Sequence, residues 1–285
     1  MRAVVDFLIL IRAVNCLIAA LAVWVGALLT ALELPIGDVV LTSVVAFLVC
    51  AGGNILNDVV DLEIDRINRP NRVLVRGAVE IPRAKSLVVL LSVIALVLAA
   101  FISLPVILMT ALAVVLLFAY NLRLKRIPLL GNLVIALLSA MTFLIGGMAA
   151  EPALVWTLPG PLIPAVYAVL FHLVREILKD VEDIEGDRRV GVSTLPQKIG
   201  TTASLTIALA LFLGLVVLTL VPIYYDWFGR VYEIITVYLV DLPLLALLIF
   251  VWGNPTGKLL RIGSVALKAG MLLGLVALLA GGQQI

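Results

Sequence analysis

The stretch NDVVDLEID, residues 57–65, ends a long apolar run and carries three closely spaced aspartates. A related stretch, KDVEDIEGD, occupies residues 179–187. Each aspartate of the first stretch has a counterpart 122 positions further along the chain: Asp58 with Asp180, Asp61 with Asp183, and Asp65 with Asp187. A constant offset of this kind is typical of an internal duplication. We therefore predict two related helical units that direct their aspartate-rich ends towards each other.

The composition of the whole chain predicts a membrane protein. Of its 285 residues, 64% are apolar and only 13% are charged, and the mean hydropathy is +1.23. Soluble domains are about 45–50% apolar and about 25% charged, so most soluble enzyme folds are excluded. We predict an all-α integral membrane protein that forms a single polytopic domain. The net charge of +2 is too small to indicate a nucleic-acid partner, and Cys16 and Cys50, within apolar runs, are interpreted as packing residues.

Nine membrane spans are predicted from the apolar runs, because a helix needs about 20 apolar residues to cross a hydrocarbon layer of about 30 Å. The run at 86–122 is too long for one span. We divide it at Ser103-Leu104-Pro105, where the proline removes a backbone donor. The predicted spans are residues 7–32, 38–60, 86–103, 105–122, 129–150, 161–181, 201–222, 231–252 and 262–282. The duplication relates spans 1–4 to spans 5–8 and leaves the ninth span outside it.

Basic residues fall mainly on one side of these spans. With Lys179 at the end of the sixth span included, the segment before the first span and those after each even-numbered span carry sixteen of the twenty Lys and Arg residues, whereas the opposite loops carry only Arg230. Membrane proteins keep most of their loop Lys and Arg on the cytoplasmic side. We predict a cytoplasmic N-terminus, cytoplasmic loops at 62–85 and 182–200, and an active site on the cytoplasmic side of the cell membrane.

The spacing of the aspartates predicts a cation site. Offsets of three and seven positions place Asp58, Asp61 and Asp65 on one helical face, and the same holds for their three counterparts. Carboxylates that converge on one cavity repel one another unless cations neutralise them. Magnesium suits this role because it takes one or two carboxylates and completes its shell with water and phosphate oxygens. Solvated helix ends with surface ion pairs are the alternative interpretation.

These stretches resemble the paired signatures of the UbiA-type superfamily of intramembrane prenyltransferases. The signature NxxxDxxxD corresponds to Asn57, Asp61 and Asp65, and the signature DxxxD corresponds to Asp183 and Asp187. The resemblance implies nine transmembrane helices in two related bundles around a central cavity.

A third feature of the superfamily has only an approximate counterpart. Its YxxxK-like segment after the fourth span corresponds to YNLRLKR at residues 120–126. Bases fall three, five and six positions after Tyr120 instead of four. This departure leaves open whether Arg123 or Lys125 contacts the diphosphate.

The resemblance implies that two Mg²⁺ ions bind a prenyl diphosphate and stabilise the departing diphosphate. The implied catalytic residues are Asp61, Asp65, Asp183 and Asp187. The implied metal ligands are Asn57, Asp58, Asp61, Asp65, Asp180, Asp183 and Asp187. The candidates for diphosphate contacts are Arg69, Arg72, Tyr120, Arg123, Lys125 and Lys179. The basic loop at 66–85 is expected to close over the site and exclude water, unless its bases only set the topology.

Polar residues within the spans are candidates for the acceptor side of the cavity. Asn15 matches a polar position that the superfamily places near its active cavity. Arg12 lies one turn away, and a charge inside the membrane is a functional candidate by default, here for a phosphate of the acceptor. Snorkelling to the surface is the alternative for Arg12. The further cavity candidates are Asn54, His172 and Glu176, with packing as the alternative for the histidine; no role is predicted for Lys268, Glu233 and Asp241.

Within the superfamily, DRINRPNR (65–72) and REILKDVEDIEGD (175–187) are most similar to the archaeal branch that synthesises digeranylgeranylglyceryl phosphate. This branch implies transfer of a geranylgeranyl group from geranylgeranyl diphosphate to the hydroxyl of geranylgeranylglyceryl phosphate, in archaeal ether-lipid biosynthesis. The implied partners are a prenyl diphosphate, a lipid-like acceptor and membrane lipids. The alternatives are a prenyltransferase with an aromatic acceptor, of the 4-hydroxybenzoate or quinone type, and a secondary transporter, whose charges would lie nearer the bilayer midplane.

Overall fold

Helices account for all the regular structure in the described part of the chain. The computed structural model describes residues 2–184 and 194–282. Its helices are α1 (Arg2–Leu10), α2 (Ala13–Leu28), α3 (Ile36–Val60), α4 (Leu62–Asn68), α5 (Ile81–Ala100), α6 (Leu104–Leu122), α7 (Leu130–Ala150), α8 (Leu162–Glu182), α9 (Leu195–Ile199), α10 (Thr201–Tyr224), α11 (Arg230–Glu233), a π-helix (Ile234–Asp241), α12 (Leu242–Gly253) and α13 (Gly257–Gly281). Two short 3₁₀ turns lie at Leu124–Arg126 and Pro152–Leu154. The predicted all-α fold is confirmed for these residues.

Seven of the described helices are long and apolar enough to cross a membrane, and the bent pair formed by α1 and α2 is an eighth candidate. α8 is also 21 residues long, but its second half carries several charged side chains. These are Arg175, Glu176, Lys179, Asp180 and Glu182. The multi-pass membrane fold is therefore confirmed, with seven to eight candidate spans by length and composition.

The first span differs from its prediction. Residues 7–32 were expected to form one continuous helix, but α1 and α2 meet at an angle of 54°. Arg12 at the junction has a left-handed backbone, with φ 52° and ψ 57°. Asn54 of α3 donates a hydrogen bond of 2.8 Å to the carbonyl of Ile11, an oxygen that a continuous helix would use internally. The break is thus stabilised by a polar side chain from a neighbouring helix.

Most other boundaries agree with the apolar pattern. The predicted hairpin in the run 86–122 is confirmed, since α5 ends at Ala100 and α6 begins at Leu104. Ser103 caps α6 by accepting a hydrogen bond from the backbone N–H of Val106 at 3.4 Å. α5 begins at Ile81, five residues before the predicted start, with Pro82 in its first turn, where a missing N–H is tolerated.

The central helices are α3 and α7. Of an 18-residue apolar stretch in each helix, 50% is buried in α3 and 56% in α7. The corresponding shares are 22% in α5 and 17% in α6, which lie at the periphery. α7 crosses α2 at two reciprocal glycine contacts. A Cβ added to Gly26 would lie 1.9 Å from the carbonyl oxygen of Phe143, and one added to Gly146 would lie 2.0 Å from that of Val23. Only glycine permits this approach of two helix backbones.

The span near residues 231–252 contains a π-helix. The segment Ile234–Asp241 is π-helical and continues directly into α12, which has Pro243 in its first turn. Asp241 is followed by Leu242 and Pro243, a proline position that often marks a helix break, but here the helix continues in a wider form. A proline lacks a donor and crowds the preceding turn, and π-turns are one way in which a helix accommodates such a conflict.

The loop predicted at 62–85 is shorter than expected and partly helical. Its first part forms α4, and its second part packs against the helices through Val73 and Leu74, which are 2% and 4% exposed. Arg76 pairs with Asp6 of α1. In the second predicted loop, 182–200, residues 185–193 lie outside the described part, and α9 follows them.

Cys16 and Cys50 are free thiols, in agreement with their interpretation as packing residues.

Candidate active site

A cavity of about 950 Å³ lies between the two halves of the helical bundle, and we call it the central cavity. Residues of α2, α3, α6, α7, α8 and α13 line its walls. One end carries most of the motif residues singled out in the sequence. The middle is apolar, with side chains such as Val49, Leu117, Ile135 and Leu138. The arrangement offers a polar end for charged groups and an apolar body for a hydrocarbon chain.

Asp61 and Asp183 occupy equivalent positions at this polar end. Asp61 is the C-cap of α3 and Asp183 is the C-cap of α8, with φ/ψ of −88°/8° and −94°/5°. The backbone N–H of each donates a 2.9 Å hydrogen bond to the carbonyl four residues earlier, on Asn57 and Lys179. Both aspartates line the central cavity. The two halves of the sequence therefore present a carboxylate at the same point of corresponding helices.

Asp58, Asp61 and Asp65, which were predicted to share one helical face, lie on either side of a helix break, and Arg72 contacts both Asp58 and Asp65. α3 ends at Val60, Asp61 lies at the break, and Asp65 belongs to the separate helix α4. Asp65 lines the central cavity. Asp58 stays behind in the last turn of α3, with 6% of its surface exposed, and does not line the cavity.

Asp58 anchors two arginines. Its Oδ1 accepts hydrogen bonds from Arg12 Nη2 at 2.6 Å and from Arg72. Arg72 comes from the loop after α4, so Asp58 ties that loop to the first span. Asp58 was predicted to be a metal ligand; in the structure its carboxylate is buried, does not line the central cavity and pairs with two arginines.

Asp65 carries a buried oxygen that lacks a hydrogen-bond donor. Its Oδ2 lies 2.9 Å from Arg72 Nη1, close enough for an ion pair, but the geometry is not that of a hydrogen bond. Burial raises the pKa of Asp65 above its usual value, and the nearby Asp58 and Asp61 add to this rise, while Arg72 opposes it. A carboxylate in such surroundings has both a free lone pair and an electrostatic need for a cation.

The other predicted metal ligands line the same end of the cavity. Asn57, Asp61, Asp180 and Asp183 are among its lining residues. Asp61 pairs with Lys125, and Asp180 accepts a 2.9 Å hydrogen bond from Asn132. Asp187 lies outside the described residues. Within the described ranges, no three Asp, Glu, His or Cys side chains converge closely enough to hold a metal by themselves. The donor set fits magnesium shared with a bound diphosphate, which needs only one or two carboxylates per ion.

Five of the six residues predicted to contact a diphosphate line the cavity: Arg69, Arg72, Tyr120, Lys125 and Lys179. Arg123 does not, and its side chain is exposed. The last turn of α6 and the following 3₁₀ turn thus direct Lys125 to the site. Of the two bases that the irregular YxxxK-like segment left open, Lys125 is the one that lines the cavity, and its contact with a diphosphate stays a prediction.

All five candidates for the acceptor side also line the cavity: Arg12, Asn15, Asn54, His172 and Glu176. Glu176 lies between two bases, 3.0 Å from both Arg175 and Lys179. The Nδ1 atom of His172 is buried and has no hydrogen-bond partner among the described residues.

Several cavity residues were missed or left without a role by the sequence. Lys268 of α13 lines the cavity and donates a 2.9 Å hydrogen bond to Asn15. Asp241 accepts a 2.7 Å hydrogen bond from Thr219 at the far end of the cavity. A charged residue inside an apolar run is itself a signal of function. Asn132 had no signal beyond its polarity, because its partner Asp180 is remote in sequence.

Comparison with known proteins agrees with these features. The sequence profile described as the UbiA prenyltransferase family matches residues 17–280. A digeranylgeranylglyceryl phosphate synthase of Methanopyrus kandleri is 39% identical over 278 residues, which cover 96% of this chain and 98% of that protein. One of Methanocaldococcus jannaschii is 32% identical over 280 residues, covering 96% and 95%.

Solved structures show the same fold. A structure described as that of digeranylgeranylglyceryl phosphate synthase in membranes matches with a TM-score of 0.78 and 32% identity over the full length of both chains. A UbiA homologue from Archaeoglobus fulgidus bound to GPP and Mg²⁺ matches with a TM-score of 0.66 and 18% identity, covering 96% of this chain and 99% of that one. The latter likeness concerns the fold alone.

Proposed function

The chain belongs to the UbiA prenyltransferase family, and on this premise we propose that it transfers a geranylgeranyl group from geranylgeranyl diphosphate to geranylgeranylglyceryl phosphate. Near full-length similarity to archaeal enzymes named for the product of this reaction supports the assignment. The observation that carries the proposal is the placement of Asp61 and Asp183 at the ends of corresponding helices, both facing one cavity with an apolar body.

The polar end of the cavity is proposed to bind the diphosphate with magnesium. The metal would be held by Asn57, Asp61, Asp65 and Asp183, with Asp180 beside them. The proposal includes two metal ions and Asp187 as a further ligand. When bound, magnesium neutralises the charge that develops on the departing diphosphate. The homologue from Archaeoglobus fulgidus solved with GPP and Mg²⁺ supports this choice.

Basic side chains around the carboxylates would bind the oxygens of the diphosphate. Arg72 and Lys125 each pair with a carboxylate at the cavity wall. They would exchange these contacts for the diphosphate oxygens when substrate and metal arrive together. Arginine suits this role because its planar guanidinium can form two parallel hydrogen bonds with phosphate.

The transfer itself needs a dry and oriented site. The acceptor oxygen forms a bond to C1 of the geranylgeranyl group, the C1–O bond breaks with its electron pair going to the diphosphate, and the hydroxyl proton is released. Water would compete for the allylic carbon. The loop after α4 covers the polar end, fixed by Arg72 to Asp58 and by Arg76 to Asp6, and so helps to exclude water.

The arrangement in the membrane is also proposed. We infer nine spans, with the bent α1–α2 pair as the first and α8 counted as a span despite its charges. The charges of α8 lie towards its C-terminal end and face the cavity, which makes a spanning position compatible with its composition. The excess of Lys and Arg beside the carboxylates supports a cytoplasmic site, and the matched ends of α3 and α8 support a duplication with an offset of 122 residues.

Turnover by purified, detergent-solubilised protein tests this function. The protein is incubated with Mg²⁺ and geranylgeranyl diphosphate, and either geranylgeranylglyceryl phosphate or 4-hydroxybenzoate, and products are identified by mass spectrometry. We expect a digeranylgeranylglyceryl phosphate product. A product formed only with the aromatic acid would replace the proposed acceptor, and no product with either would contradict prenyl transfer to these acceptors.

A further inference from the structure

Three basic side chains from separate helices meet at the side of the central cavity formed by α2, α8 and α13. They are Arg12 at the start of α2, Arg175 of α8 and Lys268 of α13, and all three line the cavity. Arg12 and Lys268 also line a smaller cavity together with Asn15, which accepts a 2.9 Å hydrogen bond from Lys268. Several basic side chains on one wall of a cavity inside the membrane favour the binding of an anion there.

In the described part of the chain, Lys268 has no carboxylate partner. Its Nζ donates to the neutral side chain of Asn15 at 2.9 Å. Among the described residues, no Asp or Glu oxygen lies within ion-pair distance of it, in contrast to Lys125 and Lys179. It lies near the middle of α13, where a charge facing hydrocarbon is unfavourable. An anionic ligand would balance the charge of Lys268 at this position.

Arg175 has unused hydrogen-bonding capacity at the same place. Its Nη1 pairs with Glu176 at 3.0 Å, and Glu176 is shared with Lys179. The Nε of Arg175 is buried and has no acceptor among the described residues. A buried guanidinium N–H without a partner is unfavourable and is expected to find an acceptor in the complete complex.

Arg12 is placed here by a strained backbone. It is one of the non-glycine residues with positive φ, and Asn54 holds both the carbonyl of Ile11 at 2.8 Å and Arg12 Nη1 at 3.4 Å. Its carboxylate partner Asp58 is shared with Arg72. Left-handed backbones at non-glycine residues persist where the surroundings impose them, and they cluster at functional sites.

A second cavity, of about 540 Å³, adjoins these bases on the outer side of the bundle. Arg12, Asn15 and Lys268 line both cavities. The remaining lining residues of the outer cavity are apolar, and most are exposed on the surface that faces hydrocarbon: Val5, Leu8, Ile9, Ala13 and Val14. The outer cavity thus combines an apolar surface with a cationic inner wall, which suits a lipid with an anionic head group.

We propose that Arg12, Arg175 and Lys268 form a second anion site, separate from the diphosphate site, that binds the phosphate monoester of the lipid acceptor. This inference rests on the proposed function, because it assigns the head group of the proposed acceptor. The site would hold the acceptor by its phosphate and leave its hydroxyl free to reach C1 of the donor. Two anionic substrates would then occupy separate basic regions of one cavity.

The test compares Lys268→Met with the unaltered protein on two acceptors, geranylgeranylglyceryl phosphate and its dephosphorylated form, geranylgeranylglycerol. We expect kcat/KM for the phosphorylated acceptor to fall by about tenfold or more, with little change for the alcohol and for the KM of geranylgeranyl diphosphate. Lys268→Arg keeps the charge and is expected to recover part of the loss. Lys258→Met, which removes an exposed charge from the same helix, is the matched control.

Separate results would overturn the inference and the function on which it rests. Equal losses on both acceptors, or an unchanged preference for the phosphorylated one, would overturn the anion site while leaving prenyl transfer in place. Failure of the unaltered protein to use the phosphorylated acceptor, with turnover of an aromatic one, would overturn the proposed function itself. Inorganic phosphate and glycerol phosphate serve as competitors: inhibition by free phosphate as strong as by glycerol phosphate would assign the site to phosphate in solution and overturn the lipid assignment.

Discussion

Arg12 Nη2 lies 2.6 Å from Asp58 Oδ1, and this contact joins the break in the first span to the last turn of α3. The same oxygen accepts from Arg72 of the loop after α4. One buried carboxylate therefore sets the position of two bases that face the cavity. We expect Asp58 to organise the site, although its place in the NDVVDLEID stretch predicts a metal ligand.

Asp58→Asn keeps the shape of the side chain and removes its charge. Removing one partner of a buried ion pair costs about 3–5 kcal/mol, and we expect less, about 1–3 kcal/mol, because a third of the Arg12 side chain is exposed. The melting temperature in detergent should fall, and KM should rise for both substrates. Glu63→Gln, which removes an exposed pair with Arg66 on α4, is the control and should change neither quantity. Unaltered stability of Asp58→Asn would contradict the anchoring role.

Asp61→Asn and Asp183→Asn should each abolish most turnover without unfolding the protein. Both side chains lie at helix ends beside the cavity, where the charge on the departing diphosphate must be balanced. We expect kcat to fall by about 100-fold or more, as for the loss of one electrostatic contact to a transition state. Asp38→Asn, in the first turn of α3 at the opposite end of the helix, is the matched control. Turnover that survives in both variants would contradict the metal site.

Lys125→Met and Arg123→Met separate two neighbouring bases. Lys125 lines the cavity and pairs with Asp61, whereas Arg123 is exposed and lies outside the cavity. We expect the KM for geranylgeranyl diphosphate to rise by about tenfold or more in Lys125→Met, from loss of a charge-assisted hydrogen bond. Arg123→Met should remain near the unaltered value. The reverse order of effects would show that the diphosphate is bound on the other side of the α6 terminus.

Gly146→Ala should destabilise the bundle. The added Cβ would lie 2.0 Å from the backbone oxygen of Val23, so α2 and α7 would have to separate. Overpacking of this kind typically costs about 1–3 kcal/mol, and backbone atoms give way less easily than side chains. Gly214→Ala in α10 is the control, because nothing lies within 4 Å of its added Cβ. Thermal unfolding in detergent measures the difference, and equal melting temperatures would contradict the close crossing of α2 and α7.

Much of the fold follows from the sequence because apolar periodicity and length determine membrane helices directly. The hairpin at Ser103 to Pro105 follows from local chemistry, since proline removes a donor and serine caps a helix. The break at Arg12 does not, because the side chain of Asn54 that holds it comes from another helix. The break at Asp61 was not predicted either, because the offsets of three and seven positions describe an uninterrupted helix.

The site follows from the sequence where residues repeat, and less well where partners meet across helices. The matching stretches predicted which carboxylates face the cavity at Asp61 and Asp183. The stretches did not separate Asp58 from the aspartates that line the cavity, because the burial of Asp58 depends on the packing of α3 against the first span. Lys268 was visible as an intramembrane charge, but its relation to Arg12 and Arg175 depends on the contact of α13 with α2 and α8.

The most direct test of the central claim is isothermal titration of the purified protein with a non-hydrolysable thiolodiphosphate analogue of geranylgeranyl diphosphate, with Mg²⁺ and then with EDTA. We propose that the two helix ends that carry Asp61 and Asp183 bind the diphosphate together with the metal. We therefore predict binding in Mg²⁺ that weakens by about tenfold or more in EDTA, and by a similar factor in Asp61→Asn with Mg²⁺ present. Equal affinity with and without the metal would contradict the account.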